Sequence, residues 1–343
     1  MLATDIQESR TGLVYPDGYR HDLSMDGLRQ RLKRATHYVL SAEACAMAAS
    51  VALSKPSSVL AALAFARLPT DPMWIEFSNA DVRRAMEDLG SPNRAPPRTV
   101  VMIERSGFLL SSTPVGIVLE YAHTDRTEDG KRLTDLCPVS ASFSFAGFGD
   151  MPPPPFPGFV REEPPKIAKG KVQQHLGLVH SDPAEAAADA EIRTRFTTMS
   201  HPDVARVRRN LVAMTGIDNV EQIEEAQGLE MFRLFSLQVL PALILLNCRN
   251  AVDTEVVPAP EKLNRQREKK GKAPLPEHRI VRIHLSPSRK RAYESQGRTA
   301  AAARGHLVTG HFKVRKSGVY WWSPHWRGSA TDAVPEKTYV VTR

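Results

Sequence analysis

At roughly 150 residues per domain, 343 residues are enough for about two domains and a sizeable core, which excludes a miniature fold stapled by disulfides. Hydrophobic residues at 42% and charged residues at 24% are the proportions of a globular chain and exclude wholesale disorder. The net charge of +8 is unevenly shared: Pro258 to Arg343 holds 19 Lys and Arg against 6 Asp and Glu, while the preceding 257 residues hold 27 against 32. A mildly acidic body with a strongly basic last quarter is the distribution that a polyanion-facing surface needs, and nucleic acid is the leading polyanion.

Cys45, Cys137 and Cys248 lie about a hundred residues apart, too far for paired metal-ligand spacing or a disulfide framework, and read as reduced, buried thiols. Met1 to Arg10 carries Asp5, Glu8 and Arg10 with no apolar run behind it, unlike a secretory signal, so a cytoplasmic protein is expected. The longest apolar stretch, Leu234 to Cys248, is interrupted by Ser236, Gln238, Pro241 and Asn247 and falls short of about 20 spanning residues. It reads as a buried helix, with no membrane partner.

In chain order, Ser24 to Leu68 mixes helix formers with recurrent apolar residues and predicts two helices broken near Lys55-Pro56. After the apolar run Met73 to Phe77, Asn79 is placed to cap a helix to about Leu89, ended by Gly90. Thr99 to Leu110, Pro114 to His123 and Leu133 to Phe148 read as an antiparallel meander. Met151 to Pro165 holds seven prolines, so neither helix nor central strand persists there. Asp182-Pro183-Ala184-Glu185 is a helix start, opening a helical layer to about Arg249 whose core is Met231 to Leu246, kinked at Pro241. Ala251 to Val257, His278 to Leu285, Gly305 to Lys316, Val319 to Trp322 and Lys337 to Thr342 are strand-like. The pattern is α+β, without regular βαβ alternation. Four regions follow: an N-terminal α+β region over 1–150, a proline-rich linker over 151–181, the helical layer over 182–250 and a basic, β-rich region over 251–343.

Nucleotide-binding and metalloenzyme signatures (GxxxxGK[ST], GxGxxG, HExxH, CxxC, GxSxG) are absent, and neither cofactor nor metal is expected. The chemistry-bearing residues fall in two basic stretches. Lys262, Arg265, Arg267, Lys269, Lys270 and Lys272 crowd eleven residues closed by Pro274 and Pro276, which reads as an exposed loop able to order against phosphates or merely to solvate the surface. Farther on, alternation puts His311, Lys313 and Arg315 on one strand face and Phe312 and Val314 on the other, ahead of a turn at Ser317-Gly318. Lys316 and Arg327 add cations. Trp321, Trp322 and Trp326, three of the four tryptophans, lie alongside, where rings can stack on bases or plug a small sheet. His306, His311 and His325 suggest metal-free acid–base cleavage of RNA, provided that a bulge at Gly310 brings His306 and His311 to one face; His278 and His284 have no metal-ligand spacing.

Over Leu240 to Arg343 these residues resemble a widespread group of phage and prophage proteins that includes the type V-A anti-CRISPR family. The likeness is carried by Leu245-Leu246-Asn247-Cys248-Arg249-Asn250, by the lysine-rich run from Lys262-Leu263-Asn264 to Gly271-Lys272, by Gly310-His311-Phe312, and by Trp321-Trp322 with Pro324-His325-Trp326-Arg327-Gly328. Thr309 stands where relatives often carry arginine, so no phosphate role is assigned to it. The resemblance implies a cytoplasmic counter-defence factor that recognises the nascent peptide of a type V-A effector nuclease through its N-terminal part, contacts RNA or the ribosome, and lowers the nuclease's message. A metal-independent ribonuclease and a phage nucleic-acid-binding accessory protein are the alternatives.

Overall fold

Side chains alternate along Met73–Ser78: Met73, Ile75 and Phe77 point to one side, Trp74 and Glu76 to the other, and all five are buried. A strand buried on both faces needs a layer on each side. The computed structural model shows that arrangement, describing residues 1–8, 12–14, 20–22, 26–88, 102–126, 132–145, 160–161, 182–200, 228–283, 306–308, 310–322 and 325–327. The strands are β1 (Gly12–Val14), β2 (Arg20–Asp22), β3 (Thr36–Leu40), β4 (Met73–Ser78), β5 (Met102–Ser112), β6 (Gly116–Arg126), β7 (Arg132–Ser144), β8 (Val160–Arg161), β9 (Phe196–Ser200), β10 (Val252–Val257), β11 (His278–Ile283), β12 (His306–Val308), β13 (His311–Arg315), β14 (Gly318–Trp322) and β15 (His325–Arg327). Nine of them form one mixed sheet in the order β10-β11-β3-β4-β5-β6-β7-β9-β8. The pairings β11–β3 and β3–β4 are parallel and the others antiparallel, so this is an α+β fold with a crossover between β3 and β4.

That crossover is helical. α3 (Ala42–Ser54) starts at Ser41, whose Oγ accepts from the Ala44 amide, and stops at Lys55 because Pro56 opens α4 (Pro56–Ala62). These helices, α5 (Asn79–Asp88), α6 (Pro183–Thr194) and α7 (Gly228–Asn247) cover one face, burying Cys45, Val59, Val82, Ile192, Phe235 and Leu243 against Ile75, Phe108 and Phe143. The other face carries a smaller core, Leu2, Ile6, Leu28 and Leu32 from α1 (Leu2–Glu8) and α2 (Asp26–Arg34) against Trp74, Leu109 and Ala122. Gly107 lets Trp74 lie flat, since a Cβ there would stand 2.1 Å from the indole. Glu76, fully buried beside it, is satisfied by Arg105 (2.6 Å), the Trp74 indole N–H (3.1 Å) and the Leu2 (3.0 Å) and Ala3 (3.3 Å) amides.

The expected break at Lys55-Pro56, the meander (β5, β6, β7), the Asp182 cap and the buried Met231–Leu246 helix are all present. Four readings change. Thr36–Leu40, read as helix, is a strand: Tyr38 and Val39 suit a pleated surface and the slot between β11 and β4 is open to them. The helical layer over 182–250 is interrupted by β9, which joins β7. Ser78, not Asn79, caps α5, accepting from the Asp81 amide at 3.4 Å, while Asn79 donates across to Ser106. The boundary at 250 divides the sequence but not the sheet, because β10 and β11 extend it beside β3. Pro241, which has no N–H to give Leu237, is accommodated by a π turn over Phe235–Val239, in which the Leu240 amide reaches the Phe235 carbonyl. α7 is long and apolar enough to cross a membrane, yet 72% of its most apolar stretch is buried inside the protein, as in a core helix. Cys45 and Cys248 are free thiols, which burial pushes up to about 12 and so keeps unreactive. Gly90, the side chain of Cys137, most of Met151–Pro165 and the strand-like Lys337–Thr342 lie outside the described residues.

Candidate nucleic-acid interface

The hairpin β13–β14 pairs His311 with Trp322, Phe312 with Trp321, Lys313 with Tyr320, Val314 with Val319 and Arg315 with Gly318. The turn residues are Lys316 and Ser317, one position earlier than the sequence suggested, with Gly318 opening the return strand. Alternation divides the hairpin into two faces. Phe312, Val319 and Trp321 are buried in the main core, β13 packs on α4, and the Phe312 and Trp321 rings meet edge to face at 5.2 Å. Trp321, expected to stack on bases, is therefore a core residue with 1% exposure: odd positions of β14 face the protein. Val314, expected in the core, is 39% exposed, lying near the tip of the hairpin.

Polar groups fasten the inner face. The Asn250 amide donates to the Trp321 carbonyl (3.1 Å) and accepts from the Trp321 N–H (2.9 Å), acting as one more strand residue beyond the end of α7. The Arg249 N–H reaches Val319 O (3.3 Å), and the Phe312 N–H donates to Ser58 Oγ (3.2 Å). Glu185 of α6 holds the start of α4 in turn, accepting from Lys55 Nζ, the Ser57 amide and the Ser57 hydroxyl within 3.0 Å.

Cations and rings interleave on the outer face. Lys313 Nζ stands 4.1 Å from the centroid of the half-buried Trp322 ring, the Arg315 guanidinium 5.7 Å from that of Tyr320, and the His311 ring 5.9 Å from Trp322 at 42°. Each cation–ring pair contributes about 0.5–1 kcal/mol at such a site. Tyr320, which sequence reasoning did not single out, belongs to this ladder because it is two residues from Trp322 on the same strand; Ser317 Oγ lies 3.0 Å from its hydroxyl. Lys316 is exposed at the turn.

The other basic stretch is a helix, α8 (Glu261–Lys269), rather than the expected loop, although it buries no residue. Hydrogen bonds replace the missing core. Asn264 donates to Leu275 O (2.9 Å) and accepts from the Leu275 amide (2.7 Å), and Arg267 donates through Nε to Ala273 O (2.8 Å). Gly271, at φ 67°, closes the C-terminus: its amide reaches Glu268 O and that of Lys272 reaches Arg267 O. Lys262, Lys269, Lys270 and Lys272 project into solvent. Arg265 faces Glu261 at 3.6 Å, and Arg267, expected on phosphate, is spoken for by Glu8 of α1 as well as Ala273. The helix is thus tied to the α1 layer, whereas the hairpin is tied to α4 and α7 on the opposite face of the sheet.

The histidines are divided likewise. β12 and β15 pair His306 with Arg327, Leu307 with Trp326 and Val308 with His325, in a ribbon separate from β13–β14. His306 and His311 belong to two ladders instead of one strand bulged at Gly310, and His306 and His325 sit at opposite ends of theirs. Only the backbone is described for His306, His325, Trp326 and Arg327. Among the described residues no three His, Cys, Asp or Glu side chains gather as a metal-ligand set. Comparison with protein-family models, curated proteins and solved structures returned no match.

Proposed function

We propose that this protein contacts RNA, free or on the ribosome, through the outer face of the β13–β14 hairpin, and that it acts in the bacterial cytoplasm as an anti-CRISPR-like factor that lowers the message and protein of a type V-A effector nuclease during synthesis. One observation carries the RNA contact: His311, Lys313 and Arg315 stand over or beside Trp322 and Tyr320 on a solvent-facing ladder, the mixture of cations and rings that suits phosphates and bases together. The counter-defence role rests on the likeness over Leu240 to Arg343, which also supplies the second partner, the nascent peptide of the nuclease. Catalysis by His306, His311 and His325 draws no comparable support, since His306 and His325 sit at opposite ends of one ribbon and His311 belongs to another.

Co-expression with a type V-A effector tests the reading, with message quantified by reverse transcription and protein by immunoblot. Both should fall with the wild-type chain and recover with Lys313→Gln/Arg315→Gln. In RNA titrations across salt that variant should lose about 1.4 from the slope of log affinity against log salt, at about 0.7 per phosphate contact on single strands. Unchanged message and protein with the wild-type chain would refute the counter-defence role.

A further inference from the structure

We infer that the hairpin face takes single-stranded RNA in preference to duplex, with adjacent bases splayed apart onto Trp322 and Tyr320, and that Lys313 is the group a base displaces from Trp322. This rests on the reading of the hairpin as an RNA-contacting surface and specifies its ligand. Tyr320 and Trp322 are two residues apart on one strand, so their attachment points are separated by roughly 6.6 Å. Stacked bases along one strand follow each other at about 3.4 Å. Two neighbouring bases that each cover one ring therefore cannot remain stacked on each other, and in a duplex neither face of an interior base is open to a side chain. The extended strand of the protein is matched to an extended, unstacked strand of RNA.

The ring faces are kept partly covered by the protein's own cations. Lys313 Nζ lies over the Trp322 ring and the Arg315 guanidinium near that of Tyr320. A cation on an exposed ring contributes less than a base stacked on it, so the exchange runs towards the base. Lys313 has a flexible four-carbon stem and keeps its charge after leaving the ring, so the displaced ammonium can meet the phosphate beside the incoming base. Trp322 can make this exchange because the inner face, Phe312, Val319 and Trp321, anchors the hairpin without it.

The test titrates the full chain at low salt with a short fluorescein-labelled oligouridine and with a blunt RNA duplex of the same length. Wild type should bind the oligouridine more tightly, quenching tryptophan emission. Trp322→Leu should weaken oligouridine binding roughly ten- to a hundred-fold, Trp322→Phe should retain most of it, and duplex binding should be the same for all three. Tyr320→Leu, at the second ring, gives the same readout should Trp322→Leu lose its thermal transition. Equal affinity for oligouridine and duplex, with both leucine variants binding like wild type, overturns base stacking while RNA contact stands. Wild-type chain that binds neither RNA overturns both.

Discussion

Asn250 spends its whole side chain on one backbone, giving a hydrogen bond to the Trp321 carbonyl and taking one from the Trp321 amide. Because Trp321 is buried, Asn250→Ala leaves two backbone groups without partners, and urea unfolding should show a loss of about 1–3 kcal/mol. RNA affinity should fall with it, since the same bonds set the hairpin's position. Glu76 plays a comparable part on the other face of the sheet. Burial alone raises its pKa, but Arg105, the Leu2 amide and the Trp74 indole outweigh that and hold it below the ordinary value of 4.5. A depressed carboxyl stabilises the fold above its unfolded pKa, and that stability is lost as pH falls through the folded one. Acid denaturation of the wild type should therefore steepen below pH 4.5, whereas Glu76→Gln should be flatter there and weaker at neutral pH by roughly 3 kcal/mol, with Arg105 left unpaired. Unfolding free energies measured across that range check both halves.

At the scale of elements, α8 shows how a highly charged run becomes ordered without a core. The Asn264–Leu275 pair, the Arg267–Ala273 bond and the Gly271 turn fold the helix back on the segment that follows it. Space is not what requires glycine at 271, for nothing lies within 4 Å of a Cβ there; the positive φ is. Gly271→Ala should cost about 1 kcal/mol through the left-handed backbone. Since α8 buries nothing, the loss should appear as faster hydrogen exchange at residues 271 and 272, with little change in global unfolding. Asn264, Arg267 and Gly271 were visible in the sequence as part of the lysine-rich run, but the partners Leu275 and Ala273 were not. A charge count cannot tell a solvated loop from a helix pinned by side chain to backbone bonds.

For the whole molecule, the described cations of the hairpin and of the α8 segment lie on two faces. The hairpin is anchored on α4 and α7, and α8 is tied to Glu8 on the other side of the sheet, so the two sets of cations act as separate patches. Neutralising Lys262, Lys269, Lys270 and Lys272 together should leave the preference for single strands and the tryptophan quench intact, while any contribution of α8 to RNA affinity is removed as a lower salt slope. Competition between oligouridine and duplex at several salt concentrations checks this. A quadruple variant that lost the single-strand preference would mean that the patches form one surface.

The local chemistry was legible from the chain alone. The break at Pro56, the cap at Asp182, the meander, the buried apolar helix and the concentration of charge after Pro258 all follow from side chains acting on their own neighbourhood. The packing decided which faces were used. Thr36–Leu40 became a strand because β11 and β4 flank it, Trp321 entered the core and Trp322 did not because the inner face of the hairpin packs into the main core, and β10 and β11 joined the main sheet through β3. Propensity and charge act over a few residues, whereas burial and strand pairing bring together segments more than two hundred residues apart, as β11 and β3 are, and only those contacts determine where a cation or a ring finally points.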